Sequence, residues 1–172
     1  MLIVFAGLPA TGKTTLSRGL ARALGAIHLR IDSIEQAIAA ARVPAAPVGI
    51  EGYAAAYAVA EDNLRLGLTL VSDCVNPLGL TRDHWLDIGK RVGVPVIEVE
   101  TVCSDRVKHQ RRVESRQSDI AGLTLPNWQA VLAHEYEPWS RDRLVIDTAR
   151  QTVAQALSTL TALAASKRRP GS

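Results

Sequence analysis

Apolar residues fall in short runs along this chain, separated by stretches where they recur every three or four positions. "LIVFA" at 2–6 has no polar interruption and predicts a strand buried on both faces. Residues 13–24 put Leu16, Leu20, Ala23 and Leu24 on one face before Gly25, which predicts a helix and its stop. The alternation then repeats as a strand over 26–31, a helix over 32–41, a loop over 42–49, a helix over 51–66 and a strand over 68–73. A helix over 81–93, a strand over 94–102, a basic helix over 104–116 and a looser stretch to Pro126 come next. A helix over 127–139, a strand over 143–148 and a helix over 151–165 complete the pattern. Strands alternating with helices in this way predict an α/β fold with a parallel sheet covered on both faces.

Composition narrows this picture without changing it. The chain has 172 residues, room for one domain and too few for two, with 47% apolar and 22% charged residues. No apolar run is long enough to span a bilayer, and the apolar start lacks the basic flank of a secretion signal. The net charge of +3 comes from Lys167, Arg168 and Arg169; without them 17 basic side chains face 17 acidic ones. The expectation is a single domain over 1–166 with a disordered basic tail over 167–172. Cys74 and Cys103 make no disulfide framework, and no Cys or His pair has metal-ligand spacing, so a reduced, cytoplasmic protein is expected.

Chemistry enters at "GLPATGKT", which reads Gly7-x-x-x-x-Gly12-Lys13-Thr14, between a predicted strand and a predicted helix. Glycines let backbone N–H groups turn around an anion, and the helix start adds partial positive charge there. Lys13 can bridge outer phosphates, and the Thr14 hydroxyl can ligate Mg²⁺. Gly7, Leu8, Pro9, Ala10, Thr11, Gly12, Lys13, Thr14 and Thr15 are therefore the candidate ATP-binding loop.

From residue 7 to residue 147 the chain resembles the small P-loop kinases related to gluconate kinase, adenylylsulfate kinase, chloramphenicol phosphotransferase and polynucleotide 5′-kinase. The motifs that carry the resemblance are "GLPATGKTT", "RIDSI", "VSDCVNP", "HQRRVESR" and "VIDT". It implies a three-layer P-loop NTPase fold with a five-stranded parallel sheet, a lid over roughly 104–126, and a monomer or homodimer. An AAA-type ring ATPase does not fit, because no second helical domain is predicted. The implied activity is transfer of the γ-phosphate of ATP, with Mg²⁺, to a hydroxyl of a small molecule. A 5′-hydroxyl nucleic-acid kinase and a non-catalytic nucleotide-binding module are the alternatives. The balanced charge argues against nucleic acid, as does Glu35, which stands where related polynucleotide kinases carry an arginine.

The resemblance assigns roles at four positions. Asp32 matches a residue that contacts the acceptor hydroxyl and serves as its general base, although Asp32-x-x-Glu35 also reads as a capping box. Asp73, ending the third strand, matches the second Mg²⁺ contact. Arg112 and Arg116, spaced to share a helix face, match the arginines that stack on adenine and reach the phosphates, with Arg111 the runner-up. Lys13, Asp32 and Arg116 form the expected catalytic set. Asn76 reads equally as an acceptor or water contact and as turn chemistry before Pro77. Tyr53 and Tyr57 are expected in the core with Glu61 and Arg65 in solvent, His28 as a satisfied core histidine, and Trp85, Trp128 and Trp139 as packing anchors.

Overall fold

The computed structural model describes residues 1–42 and 48–168. Five apolar runs become β1 (Leu2–Ala6), β2 (Ile27–Arg30), β3 (Leu70–Asp73), β4 (Val96–Val102) and β5 (Leu144–Asp147). They form one parallel sheet in the order β2-β3-β1-β4-β5. The helices are α1 (Lys13–Leu24), α2 (Ile31–Ala41), α3 (Glu51–Arg65), α4 (Gly79–Val92), α5 (Arg106–Ser115), α6 (Trp128–Leu132) and α7 (Val153–Arg168).

Alternation along β1 explains the three layers. Ile3 and Phe5 point to one face, where Leu16 and Leu20 of α1 and Leu160 of α7 cover them. Leu2 and Val4 point to the other, against Leu64 of α3 and Trp85 and Ile88 of α4. A strand that faces helices on both sides must be apolar throughout, which is why "LIVFA" shows no polar alternation. Full burial of each large side chain contributes about 1.5–3 kcal/mol. Tyr53 and Tyr57 join this second cluster, and Trp85 is fully buried, as expected. Glu61, also as expected outside the core, pairs with Arg65 and Arg91.

Three expected elements differ. α2 begins at Ile31 with Arg30 at its N-cap and no side-chain cap. The strand runs straight into the helix, so Asp32 falls inside the first turn and the Asp32–Glu35 capping box does not form. The helix expected over 127–139 stops at Leu132. Beyond it the Glu137 N–H donates to the Pro77 carbonyl at 2.9 Å, and Pro138 disfavours a helical residue before it. The last helix is longer than expected. It starts on a Thr152–Gln155 capping box and runs to Arg168, whose guanidinium reaches Thr69 Oγ1 at 3.0 Å. Lys167 and Arg168 thus belong to the helix, while 169–172 and most of the expected loop at 42–49 lie outside the described residues. Among the described residues, no helix is long and apolar enough to cross a membrane.

Candidate active site

The carboxyl ends of parallel strands deliver their following loops to one edge, the usual place for ligands in such sheets. Here that edge opens into a cleft of about 890 Å³. The β1–α1 loop forms its floor. Gly7 (φ +135°) and Gly12 (φ +102°) both adopt backbone conformations that L side chains rarely take, and a Cβ on Gly7 would drive into the Thr101 carbonyl. Ala10, at φ 63°, takes the left-handed conformation without being glycine. Thr11 secures the loop from behind, donating to the Leu8 carbonyl at 2.9 Å and meeting Thr101 Oγ1 at 2.9 Å. Pro9, Ala10, Gly12, Lys13, Thr14 and Thr15 line the cleft, whereas Leu8 packs outward against Val113, Trp128 and Val131.

Lys13 is buried, and its Nζ donates to the Leu8 carbonyl at 2.9 Å. An ammonium has three donors, so two remain for a ligand. Burial lowers the Lys13 pKa against the opposing pull of Asp73 and Asp32. Asp73, at the end of β3, is only 3% exposed, and its Oδ2 accepts no hydrogen bond. Burial pushes its carboxyl up, but His28, Lys13 and Thr14 outweigh burial and hold it below the usual carboxylate range. The register pairs Arg30 with Asp73, bringing Arg30 Nε to 3.9 Å from Asp73 Oδ2. His28 meets Ser17 Oγ at 2.9 Å and Asp73 Oδ2 at 3.7 Å, so its ring is satisfied as expected but borders the site. Burial, then the Asp73 charge, pushes the neighbouring Cys74 thiol up to about 12; Cys74 and Cys103 are both free.

Both expected arginines line the cleft, by a different route from a shared helix face. α5 ends at Ser115, and Arg116 is its extended C-cap, φ −70° and ψ 147°. Arg116 Nε and Nη2 are buried without a partner. Burial lowers its pKa, with Asp32 pulling the other way. Arg112 is already engaged: Nη1 donates to Thr148 Oγ1 at 2.7 Å and Nη2 to the Thr148 carbonyl at 3.1 Å. Thr148 Oγ1 lies 2.8 Å from the Thr11 carbonyl, linking the α5 arginine to the loop. Arg111 is exposed and does not line the cleft.

Sequence reading missed several contributors. His109 Nε2 meets the Pro9 carbonyl at 2.8 Å and its ring stands edge-on to Trp128, pinning α5 onto the loop. Arg82 is 2% exposed and donates to the carbonyls of Asn76, Pro77, Glu137 and Pro138, with Tyr136 and Trp139 over its guanidinium. Arg18, Arg30 and Asp119 also border the cleft. Only Arg18 carried a local signal, because it lies four residues after Thr14 on the loop's own helix.

Asp32 lines the cleft with its side chain 42% exposed, and its Oδ2 lies 3.6 Å from Arg30 Nη2. Glu35, one turn on, is half-buried beside Gly52, and burial, then Asp32, pushes its carboxyl up to about 7. Asn76 does not line the cleft. It is buried at φ 51°, its N–H donates to the Tyr53 hydroxyl at 3.0 Å, and its side-chain amide has no partner. Its observed place is a left-handed turn, which asparagine tolerates.

This arrangement suits a nucleoside triphosphate with Mg²⁺. The loop offers backbone to an anion, Arg116 has unused donors, and Asp73 has an unused buried acceptor. Among the described residues no group of three or more His, Cys, Asp or Glu holds a metal by itself. A Thr14–Asp73 pair suits Mg²⁺, which keeps waters and shares ligands with phosphates.

Comparisons with solved structures agree with the fold. Kti12 from Chaetomium thermophilum in complex with ADP-AlF3 is 23% identical, with 98% of this chain and 100% of that one covered and a TM-score of 0.71. A gluconokinase from Sinorhizobium meliloti is 21% identical, covering 95% and 93%, with a TM-score of 0.64. The APS kinase of Mycobacterium tuberculosis in complex with AMPPNP and APS is 15% identical, covering 95% and 96%, with a TM-score of 0.65. No curated protein matches the chain. The family described as "AAA domain" matches residues 2–138. That label, set aside above for want of a second helical domain, here covers a nucleotide-binding core with the architecture of small kinases. The chain belongs to this AAA-domain family and has the fold of the small P-loop kinases.

Proposed function

We propose that this protein is an ATP-dependent kinase that transfers the γ-phosphate to a hydroxyl of a small molecule. The observation that carries the reading is the convergence on one cleft of Lys13, the unpartnered Arg116 donors, the unpartnered Asp73 oxygen and Asp32. Neighbours in fold hold ADP-AlF3 or AMPPNP, which supports ATP as the donor. The loop from Gly7 to Thr15 would cradle the phosphates, and Lys13 and Arg116, which line the same cleft, would offset the charge that builds on the transferred group. Thr14 and Asp73 would hold Mg²⁺, which when bound would neutralise phosphate charge. Arg112, steadied by Thr148, would stack on the adenine. Asp32, exposed at the cleft wall, orients the acceptor hydroxyl and takes its proton. Residues 104–126 serve as a lid that limits water, and the enzyme works in the cytoplasm as a monomer or homodimer.

The test is to incubate the protein with γ-labelled ATP, Mg²⁺ and pooled hydroxyl compounds, with a 5′-hydroxyl DNA oligonucleotide in a separate well. Label in a small compound is the expected result. Label only in the oligonucleotide would make it a nucleic-acid kinase, and nucleotide binding without transfer to either would make it a binding module.

A further inference from the structure

Two arginines in the cleft hold a carboxylate from the protein itself. Asp119, in the segment after α5, accepts from Arg30 Nη1 at 2.8 Å through Oδ1 and lies 2.6 Å from Arg18 Nη2 through Oδ2. Arg18 comes from α1 and Arg30 from the end of β2, so three distant parts of the chain meet there. Arg30 then turns toward the chemistry: Nη2 lies 3.6 Å from Asp32 and Nε, buried without a hydrogen bond, lies 3.9 Å from Asp73.

The cations of the cleft divide by engagement. Lys13 and Arg116 have free donors beside the loop, and Arg112 is tied to Thr148. That leaves Arg18 and Arg30, on the Asp32 side, bound to an acid that is itself half exposed. Hydrogen bonds from Arg30, then Arg18, hold the Asp119 carboxyl down to about 2, so it stays ionised and fills the place of an oxyanion between the two guanidiniums. The Arg18–Asp119 pair is exposed on both sides, so it is individually weak and open to a competing anion, while Arg30 is held in place by its burial.

Resting on the kinase reading above, we propose that Arg18 and Arg30 are the specificity clamp for an anionic group on the acceptor, with Asp119 holding their place until the acceptor displaces it. The favoured substrate is a hydroxyl compound that also carries a carboxylate or a phosphate. Its anion sits on Arg30 while its hydroxyl faces Asp32, since the same guanidinium touches both positions. Two fork-shaped donors suit a planar or tetrahedral oxyanion and give a neutral polyol nothing equivalent. Displacing Asp119 also frees the segment after α5, so acceptor binding and movement of that segment are one event.

The experiment is calorimetric titration of glycerate, glycerol 3-phosphate and glycerol into protein saturated with Mg²⁺ and a non-hydrolysable ATP analogue. Both anionic probes are expected to bind at least tenfold more tightly than glycerol, and the tighter of the two tells carboxylate from phosphate. Asp119→Asn, which removes the internal competitor, should tighten the anionic probes several-fold and leave glycerol unchanged. Arg18→Gln should weaken the anionic probes about tenfold. Glycerol binding as tightly as the anions, or an Asp119→Asn protein with unchanged or weaker anion binding, would overturn the clamp. Loss of ATP-analogue binding in the parent would instead count against the kinase reading, so the two failures separate.

Discussion

At the scale of single residues, the site depends on polar groups left without partners where a ligand would supply them. Asp73 Oδ2 and two Arg116 nitrogens are buried without a hydrogen bond, an arrangement that costs stability unless a ligand completes it. Asp32 differs, being exposed and lying within the first turn of α2, where it gains only a modest interaction with the helix dipole. Asp32→Asn and Asp32→Ala should therefore each change stability by less than about 1 kcal/mol. General-base contributions run to roughly 10²–10⁴-fold in rate, and an amide takes no proton. Both variants should thus lose transfer to that extent while melting near the parent. An active Asp32→Asn enzyme would leave the cleft without a base. Lys13, Thr14 and Asp73 were legible because the loop motif and the strand end fix them locally. The Arg30–Asp119 pair was not, since 89 residues separate its partners and nothing in the spacing joins them. Arg82 was illegible for the same reason, with carbonyl acceptors 55 and 56 residues away.

At the scale of elements, the strands and the central helices were legible from apolar periodicity, and the misread boundaries share a cause. Strand-to-helix junctions without a loop move the cap onto a strand residue, as at Arg30, and no local preference of Asp32 resists that. The stretch after α6 kept a helical pattern, but its backbone is drawn to the Pro77 carbonyl and to Arg82 instead. The α2–α3 contact gives a pH prediction. Glu35 is pressed beside Gly52, and burial, then the Asp32 charge, raises its folded pKa to about 7, above the ordinary glutamate value of 4.5. The folded state therefore holds this proton more tightly than the unfolded chain. The stabilisation is complete below the unfolded pKa and disappears as pH rises through the folded one. It amounts to roughly 1–2 kcal/mol once solvent screening at this half-buried position is allowed for. Melting curves from about pH 4 to pH 8 should show the parent losing stability relative to Glu35→Gln, whose amide does not titrate. Parallel pH profiles for the two proteins would place the Glu35 carboxylate in water.

Across the whole molecule, the order β2-β3-β1-β4-β5 is what assembles the site. It sets β1, which carries the loop, between β3, which carries Asp73, and β4, whose Thr101 backs the loop at Thr11. It also brings Arg30 beside Asp73, and β5 delivers Thr148 to Arg112. Fold class was readable from the alternation of strands and helices; strand order was not, because periodicity says which segments are strands and not which ones pair. Removing the Lys13 side chain tests the site most directly, since the lysine faces the loop opening and its main internal bond is to Leu8. The decisive measurement is label transfer from γ-labelled ATP to hydroxyl compounds by the parent and by Lys13→Ala, with folding of both checked by circular dichroism. Transfer by the parent and its loss by at least about 10²-fold in a folded Lys13→Ala protein is the predicted result. Equal transfer by the two, or no transfer by a parent that binds ATP and Mg²⁺, would contradict it.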